Sequence, residues 1–189
     1  MTHPVEISFT QTDLSGLASW PGRIAVLIGQ NGKLPAGLPR PTREAALRAL
    51  DSAAWKGIKP GKSLELAFPA GLAAEALQLV NLPRDADALV ARKAGAGIGA
   101  KLGKTDLLVA AGDHPRAAEI ALGLALRAYD FSAYKTTKPV DGGDDAAPRR
   151  GRVSFMHKDP EALGKVAADG AALAEGVFFT RDLVNEPAN

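Results

Sequence analysis

Three glycine-bearing stretches and a scatter of histidines hold most of the chemical potential of this 189-residue chain. Gly57-Ile58-Lys59-Pro60-Gly61-Lys62-Ser63 approaches a phosphate-cradling loop, in which backbone N–H groups, a lysine and a hydroxyl meet a polyphosphate. That loop needs four residues between its glycines, and here there are three. It also feeds a helix, whereas Leu64, Leu66 and Phe68 alternate as a strand does, so the run reads as a turn entering a strand. Gly95-Ala96-Gly97-Ile98-Gly99-Ala100 fits G-x-G-x-x-A, the pattern that brings a backbone close to a dinucleotide pyrophosphate. The residues before it, Ala88 to Ala94, pattern as helix and not as a buried strand, and no acidic residue ends a second strand at the required distance. Small residues that let a helix lie close on a sheet are the better reading.

Gly112-Asp113-His114 stands where a central strand hands over to a helix, the place where open α/β sheets hold ligands and free N–H groups attract anions. Asp113 has the wrong charge for an anion site and the right side chain for a helix cap, so capping is the expectation. Ser154, His157 and Asp159 suggest a triad, but on a strand Ser154 and His157 point to opposite faces. His3, His114 and His157 are too scattered for a zinc site. Lys135, Lys138, Arg149, Arg150 and Arg152 make one loop basic, yet Asp141, Asp144 and Asp145 sit in its middle and no aromatic is interleaved for base stacking. A solvated loop is the expectation there, not a nucleic-acid contact. These readings assign no catalytic, cofactor-binding or metal-binding residue.

Charge supports the same view. Lys plus Arg number 23 against 21 Asp plus Glu, and a net charge of +2 gives little pull toward nucleic acid or an anionic membrane. The absence of cysteine excludes a thiol nucleophile and a disulfide framework, in keeping with a reducing compartment. The N-terminus lacks the basic-then-apolar pattern of a secretory signal, and no run reaches the ~20 apolar residues of a membrane span. The expectation is a cytoplasmic, soluble protein without a membrane partner.

Strand-like and helix-like stretches alternate. Val5, Ile7 and Phe9 share a face, and residues 24–28 form a continuous apolar run suited to a buried strand. Asn31-Gly32 and prolines 35, 39 and 41 mark a loop. Thr42 is the expected cap of a helix reaching Trp55, with Leu47, Leu50 and Ala54 on its apolar face. Strands are expected at 64–68, 77–80, 106–111 and 152–157, and helices at 85–102 and from Pro115 to Tyr129. Asp159-Pro160-Glu161 opens the last helix with an acidic cap, a proline in the first turn and a glutamate near the positive end of the dipole. Leu163, Val166, Gly170, Leu173, Val177 and Val184 are expected to form its buried stripe over about 25 residues, or ~38 Å, enough to bridge two domains. This alternation implies an α/β layered fold around a mostly parallel or mixed sheet.

Two runs carry a resemblance. Arg181-Asp182-Leu183-Val184-Asn185-Glu186-Pro187-Ala188-Asn189 is similar to the R-D-L-V-N-E-P-x-N signature of the leucine aminopeptidase (cytosol aminopeptidase) family. Ala121 to Lys138 resembles that family's helix ending in a Y-x-F-x-x-Y-K-T/S-like run, with Tyr129, Phe131, Tyr134 and Lys135 at those positions. The resemblance implies a macro-domain-like N-terminal domain over 1–158 and a long linker helix over 159–189, leading toward a catalytic domain that these residues do not include. It implies a two-metal exopeptidase, with Zn or Mn held by that other domain, and a homohexamer that the N-terminal domain helps to arrange. The metal-ligand motif N-T-D-A-E-G-R is absent here, so no catalytic or metal-binding role carries over, and the chain alone is expected to be inactive. The competing readings are a macro-like module for an ADP-ribose-type ligand and a DNA-binding accessory domain, the latter disfavoured by the near-neutral charge.

Overall fold

Alternating strand and helix segments build one mixed sheet between two helical layers. The computed structural model describes residues 4–129 and 151–186. Strands β1 (Ile7–Gln11), β2 (Arg23–Ile28), β3 (Ser63–Ala67), β4 (Ala76–Asn81), β5 (Leu107–Gly112) and β6 (Val153–His157) lie in the order β1-β6-β5-β2-β4-β3. Every neighbouring pair is parallel except β3 with β4. The helices are α1 (Arg40–Asp51), α2 (Ala53–Lys56), α3 (Ala88–Gly99), α4 (Ala117–Arg127) and α5 (Pro160–Asn185), with a 3-10 turn at Ser15–Ser19.

The central strands are apolar on both sides because parallel strands are covered on both sides. Ala25, Val80, Val109 and Phe155 face a core completed by α3, α4 and Leu163 of α5. Ile24, Val26, Leu77, Leu79 and Leu108 face the other core, closed by Leu17 of the 3-10 turn, Leu34, Leu38 and Ala46 of α1. Val5, Ile7 and Phe9 pack together as their alternation implied, although β1 begins and ends two residues later than expected.

Several local expectations need correction. Thr42 does not cap α1, which begins at Arg40 with Pro41 in its first turn; Thr42 is buried, and its hydroxyl donates to the Ala70 carbonyl at 2.7 Å. The chain breaks at Ser52, whose hydroxyl accepts from the Trp55 N–H and starts α2. Leu47 is half exposed, and Ala46 takes the buried position. Phe68 leaves β3 for a φ of 43° and points into solvent.

The glycines of α3 serve a helix and not the sheet. A Cβ on Gly95 would lie 1.9 Å from the Ile120 carbonyl oxygen, and one on Gly99 would lie 2.7 Å from that of Leu124. The approach is reciprocal, since a Cβ on Gly123 of α4 would lie 2.1 Å from the Arg92 carbonyl oxygen. Three missing side chains thus set the distance between α3 and α4, and no cofactor loop is involved.

Helix α5 starts as its sequence dictates, with the Asp159 carboxylate accepting from the Ala162 N–H at 3.0 Å and Pro160 in the first turn. Its buried face differs from the expected stripe. Leu163, Ala174, Phe178 and Asp182 are buried, whereas Val166, Leu173 and Val184 are largely exposed. Phe178 packs edge-on to Tyr129 with ring centroids 5.0 Å apart. On this face Gly170 lies over Leu122 of α4, where an added Cβ would come within 3.6 Å of the leucine Cβ, an ordinary contact.

Gly123→Ala is expected to destabilise the chain by about 3 kcal/mol, because backbone and not a flexible side chain must move to admit the methyl group. Gly176→Ala, in α5 with open space where its Cβ would go, is expected to add up to about 1 kcal/mol through helix propensity. Urea unfolding of both variants checks this, and equal midpoints would contradict it.

Candidate functional site

Loops following the carboxyl ends of parallel strands converge at one end of the sheet and enclose a cleft of about 740 Å³. Gly29, Gln30 and Asn31 follow β2, Leu82, Arg84 and Asp85 follow β4, and Gly112, Asp113 and His114 follow β5. Thr12 and Leu14, after β1, complete one side, and Lys33 to Ala36 another. Ligands in open α/β sheets lie at this end. The Gly112-Asp113-His114 run does form part of such a wall. Gly112 permits the turn, with a φ of 61° at an irregularity in the β5–β6 register.

Asp113 does not cap α4. Its carboxylate pairs with Arg84 at 2.6 Å, and that guanidinium holds the carboxyl below its usual range. The side chain that meets a backbone N–H here is His114. Its Nδ1 accepts from the Arg116 N–H at 3.2 Å, which leaves the proton on Nε2, directed at the Pro83 carbonyl oxygen 3.2 Å away. Both ring nitrogens are therefore engaged by the neutral imidazole. Burial lowers the His114 pKa first, helped by the charges of Arg84 and Arg116 and opposed by the Pro83 contact and Asp113.

The remaining candidates do not assemble. Gly57 ends α2 and Gly61 turns at a φ of 82° into β3, as a turn before a strand does. His157 meets the Asp159 backbone through Nδ1, and the Asp159 carboxylate is committed to the cap of α5, so the three residues form no relay. Arg152 gives its backbone N–H to Asp106. His3, Phe131, Tyr134, Lys135, Lys138, Arg149 and Arg150 and the acidic Asp141, Asp144 and Asp145 lie outside the described residues. Among the described residues no three His, Cys, Asp or Glu side chains gather as a metal centre requires, so they do not fit the two metals that the family implies.

A polar cluster that periodicity missed lies at the other end of the sheet. Helices α4 and α5 both run back from strand carboxyl ends, and Tyr129 there meets the last turn of α5. The Tyr129 hydroxyl donates to the buried Asp182 carboxylate at 2.9 Å and accepts from the Asn185 amide at 3.0 Å. The Arg181 guanidinium lies 4.0 Å over the centre of the same ring. Desolvation, with the Asp182 carboxylate adding to it, raises the Tyr129 pKa and keeps the hydroxyl a donor. Three residues of the C-terminal run thus converge on the first aromatic of the other run.

The His114 geometry sets a pH dependence. Its folded pKa lies below the ordinary 6.5, so the unfolded chain binds the extra proton and stability falls as the pH drops below about 6.5 toward the lowered value. Above that range the imidazole is neutral in both states and contributes no slope. His114→Asn is expected to flatten the decline below about pH 6.5. Urea midpoints across that interval measure it, and parallel profiles for the two proteins would contradict the assignment.

No protein-family model matches the chain. A probable cytosol aminopeptidase of Cereibacter sphaeroides is 48% identical over 192 residues, an alignment taking in 100% of this chain and 38% of that protein. One of Dinoroseobacter shibae is 45% identical over 192 residues with the same shares. Among solved structures, a tomato leucine aminopeptidase variant matches with a TM-score of 0.65 at 18% identity, over 100% of this chain and 40% of that one. The bottromycin maturation enzyme BotP matches with a TM-score of 0.55 at 22% identity, over 87% of this chain and 33% of that one. These structural likenesses show the fold. The chain spans 38% of the length of the two sequence relatives. Identity at this level along the whole chain makes it the counterpart of the N-terminal domain of the cytosol (leucine) aminopeptidases.

Proposed function

We propose that this chain is a non-catalytic scaffold domain of a cytoplasmic leucyl aminopeptidase, contributing to assembly and to access to an active site built elsewhere. Residues 1–158 form the body in this reading, and 159–189 the helical lead toward the catalytic part. The observation that carries it is how the C-terminal run spends its polar groups. Arg181, Asp182 and Asn185 are all engaged with Tyr129, so the residues that most resemble the family bind a helix to its neighbour instead of facing a substrate.

The reaction of a two-metal exopeptidase needs carboxylates converging on ions that polarise the scissile carbonyl and generate hydroxide. In this reading that chemistry, with Zn or Mn, belongs to the part of the relatives beyond the aligned 38%. The outer side of α5 supports a role in assembly. Val166, Leu173, Leu183 and Val184 are each more than half exposed, a concentration of apolar surface that suits burial against the rest of a larger polypeptide or a homohexamer. No helix among the described residues is long and apolar enough to cross a membrane.

Incubation of the 189-residue chain with leucine p-nitroanilide and Mn or Zn is expected to release no nitroaniline above the blank. Metal-dependent release that a chelator abolishes would overturn the proposal.

A further inference from the structure

We propose that the cleft at the carboxyl ends of β2, β4 and β5 binds a small zwitterion with an aliphatic body, either a free amino acid or a short peptide. The inference rests on the lining and charge of the cleft and not on the scaffold role proposed above. At about 740 Å³ the cleft falls within the range of small-molecule sites. Leu27, Leu82, Ala110 and Ala111 offer an aliphatic lining with no Phe, Tyr or Trp beside them, which suits a branched or linear alkyl group better than a stacked base.

The charges decide the ligand class. Four formally charged side chains line the cleft: Lys33, Arg84, Asp85 and Asp113. Arg84 and Asp113 neutralise one another. Lys33 and Asp85, on the loops after the adjacent strands β2 and β4, have no ion-pair partner among the described residues. The cleft therefore presents one available cation and one available anion, with no net charge. An ADP-ribose-type dianion would find a single available cation there, and it would also meet a carboxylate. A molecule carrying both an ammonium and a carboxylate answers both groups.

His114, neutral and held through both nitrogens, shapes the wall without adding charge.

Calorimetric titration of the chain with leucyl-leucine and with leucine tests the proposal. Saturable binding at one site is expected, with 4-methylpentanoate, which lacks the ammonium, and leucinamide, which lacks the carboxylate, each weaker by about tenfold or more. Lys33→Ala and Asp85→Ala should each weaken the dipeptide by about tenfold. Ala36→Trp, which fills the cleft from an exposed loop, should abolish binding with an unchanged circular dichroism spectrum. No heat with either leucyl-leucine or leucine at about 10 mM would overturn the proposal. So would ADP-ribose or 4-methylpentanoate binding as tightly as the dipeptide, or dipeptide binding that survives Ala36→Trp.

Discussion

A carboxylate buried near the end of a 26-residue helix is the contact on which the second half of this fold depends. Asp182 is removed from water beside α4, where the Tyr129 hydroxyl meets it. Burying a charge is expensive unless hydrogen bonds compensate for the lost hydration, so the register of α5 on α4 is fixed where that bond can form. Phe178, one turn earlier, supplies the apolar part of the contact against the same ring. At the other end Asp159 caps the helix and Leu163 reaches the sheet core. The helix is thereby held at both ends, and Ala174 and Gly170 fit it closely to α4 between them.

Small residues govern how closely α3 meets α4. The α3–α4 contact exists because Gly95, Gly99 and Gly123 carry no side chain where each helix meets the other's backbone. On α5 the buried face combines Ala174 with Leu163 and Phe178 and leaves Val166, Leu173 and Val184 outside. Close backbone approach lets many weak dispersion contacts form at once, and a valine stripe would hold the helices apart. The outer stripe then remains available to another surface.

What could be read from the sequence follows from this. Continuous apolar runs located β2 and β5, because a strand buried on both faces has no polar alternation to confuse it. The Asp159-Pro160 start of α5 was equally legible, since a cap is a local matter of a few atoms. The buried face of α5 was not legible, because hydrophobic periodicity weights valine and leucine above alanine and gives an aspartate no buried place. Among site residues, the strand-to-helix junction located Gly112 to His114, but assigned the cap to Asp113 when Arg84, distant in sequence, claims that carboxylate. Thr12, Lys33 and Asp85 gave no sequence signal, since three separate loops bring them to one cleft.

The central claim is that Arg181, Asp182 and Asn185 act as a structural clasp on Tyr129, not as chemical groups. Amide hydrogen exchange across residues 178–185, compared between the natural chain and Tyr129→Phe, tests it most directly. Protection of that segment in the natural chain is expected, with exchange faster by about tenfold in the variant and no change in β5. A segment equally protected in both proteins, or unprotected in both, would contradict it.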